Sequence, residues 1–212
     1  MRKEIQRMKQ FSLLWGVIIL LWSADARADY PLQLAFWPPK LQLLSDTESV
    51  RGLRLDLYGR NMDMKGLDLG LVNETGGDFA GFGVGLVNLV DGNMRGVQLS
   101  YYGYQRVGGS AYGWSYALVS RVKEDFQGMQ QGAVSMTYKD FKGVQASIIY
   151  SYTGEELTGA QLGFVNQASA VHGLQLGIIN FTERMRGLQI GLWNQINEKE
   201  NLRVFPFVNW KF

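Results

Sequence analysis

The chain has 212 residues, including 26 glycines and four prolines, with no cysteine and a net charge of +2. The lack of cysteine excludes disulfides, thiolate metal sites and a cysteine nucleophile. Residues 1–28 carry five basic and two acidic side chains, so the rest of the chain has a net charge of −1. That part has no lysine or arginine cluster, and the sequence therefore predicts no nucleic-acid partner.

Residues 1–28 have the three parts of a cleavable secretory signal peptide. A basic leader precedes an apolar run over residues 11–22, and Ala26 and Ala28 match the small residues that signal peptidase accepts. As a helix the apolar run spans about 18 Å, whereas the hydrocarbon core of a bilayer is about 30 Å thick. This length disfavours the alternative, an uncleaved membrane anchor.

Residues 29–49 are predicted to hold an N-terminal strand followed by an irregular lead-in. Apolar and polar residues alternate over residues 32–37 and are then interrupted by Pro38 and Pro39. Prolines of this kind are confined to edge or irregular strands.

Residues 50–194 contain ten copies of an eight-residue pattern. Two clear copies read Gly66-Leu-Asp-Leu-Gly-Leu-Val-Asn73 and Gly173-Leu-Gln-Leu-Gly-Ile-Ile-Asn180. Each copy begins with what we call a marker glycine, and successive marker glycines are 14 to 17 residues apart. The ten marker glycines are Gly52, Gly66, Gly81, Gly96, Gly113, Gly128, Gly143, Gly159, Gly173 and Gly187.

Side-chain character alternates with period two within each copy, which indicates β-strand and excludes helix. One face carries the first, third and fifth residues after the marker glycine, which are mostly Leu, Ile or Val. The other face carries the glycine, then a polar residue such as Gln161 and a small residue such as Gly163.

The predicted fold is all-β: an antiparallel up-and-down meander closed as a barrel of about 12 strands. A ten-residue strand is about 33 Å long, and a four-residue link reaches only about 14 Å, which favours hairpins between consecutive strands. Residues 195–212 would supply the strand that closes the barrel. The alternative is a β-solenoid of about ten coils, in which each copy bends at its second glycine. Equivalent asparagines would then stack as a ladder: Asn73, Asn88, Asn166, Asn180 and Asn194.

Two resemblances bear on location. Val208, Trp210 and Phe212 resemble the C-terminal signature by which outer-membrane β-barrel proteins are recognised for insertion. The repeats, together with the segments 34–43 and 52–61, resemble a family of uncharacterised bacterial surface repeat proteins with Gly-Leu-Gln-Leu-Gly-Leu-Val-Asn repeats. This second resemblance implies export and a surface or envelope location, and it brings no activity, ligand or catalytic residue.

The leading functional hypothesis is a non-enzymatic outer-membrane barrel, structural or a passive narrow pore. Its leucine face would contact lipid, its Gly/Gln/Ser face would line the interior, and its partners would be outer-membrane lipid and the barrel-insertion machinery. Two features disfavour it: the apolar face covers only about 15 Å of the expected 25 Å band, and Gln131 falls on that face. A soluble exported barrel with leucines inside would explain the narrow face.

Two other functions stay open. One is an exported β-repeat binding or adhesion module, soluble in the periplasm or attached to the cell surface. The other is a lipid-modifying outer-membrane enzyme. No catalytic, cofactor-binding or metal-binding residue is predicted. The single histidine, His172, is equivalent to Arg51, Lys65, Arg95 and Arg186 of other copies, which indicates a solvated rim position.

One group of charged residues falls on the interior face. Arg54, Asp56 and Asp68 lie there in neighbouring copies. Opposite charges on adjacent strands are expected to pair as a structural ion pair rather than an acid/base pair.

Overall fold

The computed structural model describes residues 29–212, and among these the secondary structure is strand, with no helix. The predicted signal peptide, with Ala26 and Ala28, lies outside the described residues. The strands are β1 (Asp29–Trp37), β2 (Leu41–Gln42), β3 (Ser49–Asn61), β4 (Met64–Thr75), β5 (Phe79–Val90), β6 (Met94–Val107), β7 (Ala111–Val122), β8 (Phe126–Thr137), β9 (Phe141–Ile196) and β10 (Val204–Lys211).

Neighbouring repeats pair in parallel and in register, so that the chain forms a β-solenoid. The sheet order is β10-β9-β8-β7-β6-β5-β4-β3-β1-β2. Each strand from β3 to β8 pairs in parallel with the next, and their marker glycines lie side by side. The predicted antiparallel barrel is therefore wrong, and the solenoid considered as its alternative is the observed fold.

The chain reverses within each repeat, which the hairpin prediction did not allow for. In β4, Asp68 is buried, Leu71 and Val72 both face outward, and Asn73 and Thr75 are buried. The inward positions thus shift by one residue at Leu71–Val72, where the coil bends. Because the second half of the coil brings the chain back, a short turn is enough to begin the next parallel coil.

The marker glycines form a column in which a side chain cannot be accommodated. Their φ angles are positive, from 122° to 154°. At nine of them a Cβ would overlap the carbonyl oxygen of the preceding marker glycine, and at Gly52 that of Pro31. Both the backbone conformation and the close approach of the coils therefore require glycine.

Unequal repeat lengths are absorbed where the coil bends. The longest repeat, between Gly96 and Gly113, has a register shift between Ser100 and Tyr104. Tyr102 lies in the extra loop with a φ of 53°. The remaining ladder on either side of the loop keeps its register.

A narrow apolar column fills the interior at the marker-glycine end of each coil. Its members lie two residues before each marker glycine, and the rings of Phe126 and Phe141 stack with centroids 5.2 Å apart. The column consists of Val50, Met64, Phe79, Met94, Ala111, Phe126, Phe141, Leu157, Val171 and Met185. Together with buried polar columns it packs the space between the two halves of each coil, so residues 29–212 enclose no lumen for the predicted pore.

Separate strands cover the two ends. β1 pairs in parallel with β3 and is itself flanked by β2. β10 pairs antiparallel with the last coil of β9. The C-terminal strand thus caps a solenoid instead of closing a barrel. Val208, Trp210 and Phe212 are exposed there, and no observation tests their predicted role as an insertion signal.

Candidate binding surface

Five glutamines stack in the interior, each the second residue after its marker glycine. Each of the last four donates its Nε2 to the Oε1 of the glutamine in the preceding coil at 2.8–2.9 Å. The same four Nε2 groups donate to main-chain carbonyls in the returning half of their own coil. The five are Gln130, Gln145, Gln161, Gln175 and Gln189. This column satisfies buried amides and ties the two halves of each coil together.

A second polar column follows the bend and contains the predicted asparagine ladder. Asn73 donates to Asn88 at 2.8 Å, Asn166 donates to Asn180 at 2.8 Å, and Asn180 donates to Asn194 at 2.7 Å. The asparagine amides also reach main-chain carbonyls of the following coil beside the bend. The asparagine stacking expected of the solenoid alternative is confirmed, in two runs separated by coils that carry glutamine or serine at the equivalent position.

With the polar residues inside, the leucines face outward. The outward side chains of the leading half of each coil form one surface, which we call the apolar face. It has three columns, at the first, third and fifth positions after each marker glycine. In the fifth column Leu71, Leu118, Ile148 and Leu192 expose 47–69% of their surface. The predicted soluble barrel with leucines inside is therefore wrong.

The end strands extend the apolar face. Leu32 lies beside Leu53 at one end, and Trp210 lies beside Leu188 at the other. Ten repeats and two caps stack twelve strands, so the face is about 53 Å long and 13 Å wide, or about 700 Å². The largest apolar patch on a typical soluble monomer is roughly 300–600 Å² and is often functional.

Aromatic residues concentrate near the middle of the apolar face. Tyr101 and Tyr116 have ring centroids 5.8 Å apart, and Tyr102 is 86% exposed. The indole Nε1 of Trp114 donates to Oε1 of Gln131 at 2.8 Å. The polar residue that disfavoured a lipid-facing surface is thus paired with an aromatic neighbour on the same surface.

A basic column runs along one edge of the apolar face, at the position before each marker glycine. Its basic residues are Arg51, Lys65, Arg95, Lys142, His172 and Arg186, and the remaining positions hold Ala80, Tyr112, Gln127 and Thr158. None of the ten is acidic. His172 is exposed, with its Nδ1 3.3 Å from Oε1 of Glu156, so the predicted rim position is confirmed. The equivalence of these positions was visible in the sequence, but their alignment along one edge of the solenoid was not.

Carboxylates on the adjoining turns accept main-chain hydrogen bonds from the turn of the next coil. Asp63 accepts the main-chain N–H of Asp78 at 2.8 Å, and Asp78 accepts that of Asn93 at 2.7 Å. Asp125 and Asp140 do the same in later coils. Within the part of the chain described, none of these turn carboxylates forms an ion pair with Lys65, Arg95, Lys142 or Arg186.

The buried charges form a structural ion pair, as predicted. Arg54 donates to both carboxylate oxygens of Asp68 at 2.7 Å and to the carbonyl of Glu74 at 2.8 Å. Asp56 lies 3.4 Å from Nε of Arg54, with both side chains fully buried. Burial, aided by the charge of Asp68 and opposed by Arg54, raises the pKa of Asp56 to about 7. The cluster is closed to solvent, which suits a structural role.

Residues 29–212 bring together no group of three His, Asp or Glu side chains that could hold a metal ion. Over the same range, no helix is long and apolar enough to cross a membrane.

Comparison with known proteins returns no relative. No protein-family model, curated protein or solved structure matches the chain.

Proposed function

We propose that this chain is an exported, non-enzymatic β-repeat module of the bacterial envelope that binds through its apolar face. The observation that carries the proposal is the exposure of large apolar side chains in most coils of a regular sheet surface of about 700 Å². Such an area is ordinarily covered by a partner, since leaving it in water is unfavourable by roughly 25 cal/mol per Å².

The interior explains why this surface can be both apolar and well ordered. In a soluble sheet protein the apolar side chains normally form the core. Here glutamine and asparagine columns hold the coils together from inside. The leucines are therefore not needed for the core, and their exposed side chains are available for binding. The resemblance to bacterial surface repeat proteins and the leader in residues 1–28 support an envelope location.

The test is cell fractionation with matched variants of the full-length chain. Leu71→Thr, Leu86→Thr and Leu118→Thr together make three exposed positions of the fifth column polar while keeping strand propensity. Leu89→Thr and Met136→Thr alter outward positions on the returning half of the coil and serve as controls.

We expect the unaltered chain and the controls to remain with the envelope and to require detergent for extraction. The apolar-face variant should move to the soluble fraction with an unchanged far-ultraviolet circular dichroism spectrum. A folded apolar-face variant that is retained as strongly as the unaltered chain would contradict the proposal, as would an unaltered chain that is fully soluble.

A further inference from the structure

Building on the proposed binding role of the apolar face, we propose that its occupant is a bilayer surface carrying anionic phospholipid headgroups. The three apolar columns would lie at the boundary between headgroups and acyl chains. The basic column would contact headgroup phosphates along one edge of the solenoid.

The arrangement of side chains matches such a surface. An interfacial protein combines a buried apolar area with basic residues that attract anionic lipid. The glycine alone separates each basic position from the first apolar column, as between Lys65 and Leu67 or between Lys142 and Val144. Lysine and arginine can place their stems along apolar surface while their charged ends remain among the headgroups.

The basic column is available for phosphate. Lys65, Arg95, Lys142 and Arg186 form no ion pair with residues of the described part of the chain. Arg51 is paired with Asp29, and His172 is paired with Glu156. The turn carboxylates nearby accept main-chain N–H groups instead.

Aromatic side chains on the face fit the same environment. Tyrosine and tryptophan favour membrane interfaces because their rings are apolar and their polar groups stay hydrated. Tyr101, Tyr102, Trp114 and Tyr116 provide four such side chains on neighbouring coils. Trp114 and Tyr102 are 41% and 86% exposed.

A second copy of the chain fits the face less well. Its area is close to the roughly 800 Å² per partner of a standard interface, so size alone would allow a dimer. Two aligned faces related by a two-fold axis would oppose each basic column to the partner's outer leucine column or to its basic column. The first pairing buries charge against leucine, and the second opposes like charges.

The experiment measures binding of the chain, as purified from expressing cells, to two kinds of vesicle. One is phosphatidylcholine, and the other contains phosphatidylcholine and phosphatidylglycerol in equal parts. The test variant is Lys65→Gln/Lys142→Gln, and Lys65→Arg/Lys142→Arg keeps the charge. Arg121→Gln/Lys123→Gln removes the same charge from exposed positions of the returning half-coil and its turn. All four proteins share the same N-terminus, so any contribution from residues 1–28 is common to them.

We expect binding to the anionic vesicles to exceed binding to phosphatidylcholine by more than about 25-fold, since two of the basic residues alone should account for that factor. The Lys65→Gln/Lys142→Gln variant should lose roughly 25-fold, at about fivefold for each charge removed. The arginine variant and the Arg121→Gln/Lys123→Gln control should bind like the unaltered chain.

Three outcomes would overturn the inference. Equal binding to both vesicles would show that lipid covers the face without recognition of charge, which leaves the proposed function in place. Equal losses from both glutamine pairs would indicate unspecific charge attraction. Absence of vesicle binding, with dimers that the apolar-face variant dissociates, would identify a second copy as the occupant. Failure of the proposed function itself appears separately, in the fractionation experiment.

Discussion

Asn166 donates its side-chain N–H to the side-chain oxygen of Asn180 at 2.8 Å, across one complete coil of 14 residues. The same amide also donates to the carbonyl of Leu176 at 2.9 Å. The Asn166 side chain thus bonds to a side chain and to a main-chain carbonyl of the next coil. Repetition of this contact keeps the coils in register and fixes which side chains face outward.

The register can be tested with cysteine pairs, because the chain has no cysteine of its own. Phe82 and Val97 are register partners, and their Cα atoms should lie about 4.8 Å apart. That separation falls within the roughly 4.4–6.8 Å range of disulfides. We expect Phe82→Cys/Val97→Cys to form a disulfide on mild oxidation, as judged by gel mobility.

The matched pair is Phe82→Cys/Tyr101→Cys, which an antiparallel hairpin would bring together. In the solenoid Tyr101 lies at the bend, about four residues further along its strand than Val97, the register partner of Phe82. We expect no disulfide from this pair. The reverse result, with the second pair linked and the first not, would rule out parallel stacking.

Replacing a marker glycine should be severely destabilising. Gly128 has a φ of 132°, and a Cβ there would overlap the carbonyl oxygen of Gly113. We expect Gly128→Ala to lower the free energy of unfolding by about 3 kcal/mol or more. Gly76→Ala is the control, since its Cβ would have 3.8 Å to the nearest atom, and it should change stability by less than about 0.5 kcal/mol. Urea denaturation measures both, and equal effects would contradict the stacked glycine column.

The glutamine column should tolerate no interruption. Gln161 donates to Gln145 at 2.8 Å and accepts from Gln175 at 2.8 Å, all within the interior. Gln161→Ala leaves buried amide groups without partners and should cost about 3 kcal/mol. The exposed Gln127→Ala should cost less than about 0.5 kcal/mol. Thermal denaturation distinguishes the two, and a neutral Gln161→Ala would show that the column is dispensable.

Stability should fall as the pH rises towards neutrality because of Asp56. Burial raises its folded-state pKa to about 7, above about 3.9 for an unfolded chain. The folded chain therefore binds this proton more tightly, and its stabilising effect, full below pH 4, is lost between pH 4 and about 7. We expect Asp56→Asn to lack this decline and to exceed the unaltered chain by roughly 4 kcal/mol at pH 8. Urea denaturation at a series of pH values measures the free energy of unfolding of both proteins. The same pH dependence in the two proteins would contradict this role of Asp56.

Period-two alternation was enough to predict strands and to sort the side chains into two faces. Gln161 was placed on the face opposite the leucines, and it is buried as expected. Asn166, an odd-numbered position after its marker glycine, was placed inside only by the solenoid alternative. Alternation does not distinguish a solenoid coil from a β-hairpin, because side chains alternate between the two faces of the strand in both. The short links favour hairpins only if each repeat is a straight strand. The available signal was the phase shift at Leu71–Val72, after which the inward residues become Asn73 and Thr75.

The basic column was harder to foresee. Its basic members lie 14 to 47 residues apart in the sequence, and no two of them are close enough to read as a cluster. Parallel stacking brings Arg51 beside Lys65, whereas antiparallel hairpins would place successive members at opposite edges of the sheet. The binding surface therefore depends on the topology that the sequence left open.

The most direct test of the apolar face as the binding surface is a single environment-sensitive fluorophore placed by cysteine substitution. Leu118→Cys carries the label on the apolar face, and Leu89→Cys carries it on the returning half of the coil. On addition of anionic vesicles, we predict a blue-shifted emission and quenching by lipid-borne quenchers for the label at position 118. The label at position 89 should be unchanged. Equal responses at the two positions, or a response at position 89 alone, would contradict binding through the apolar face.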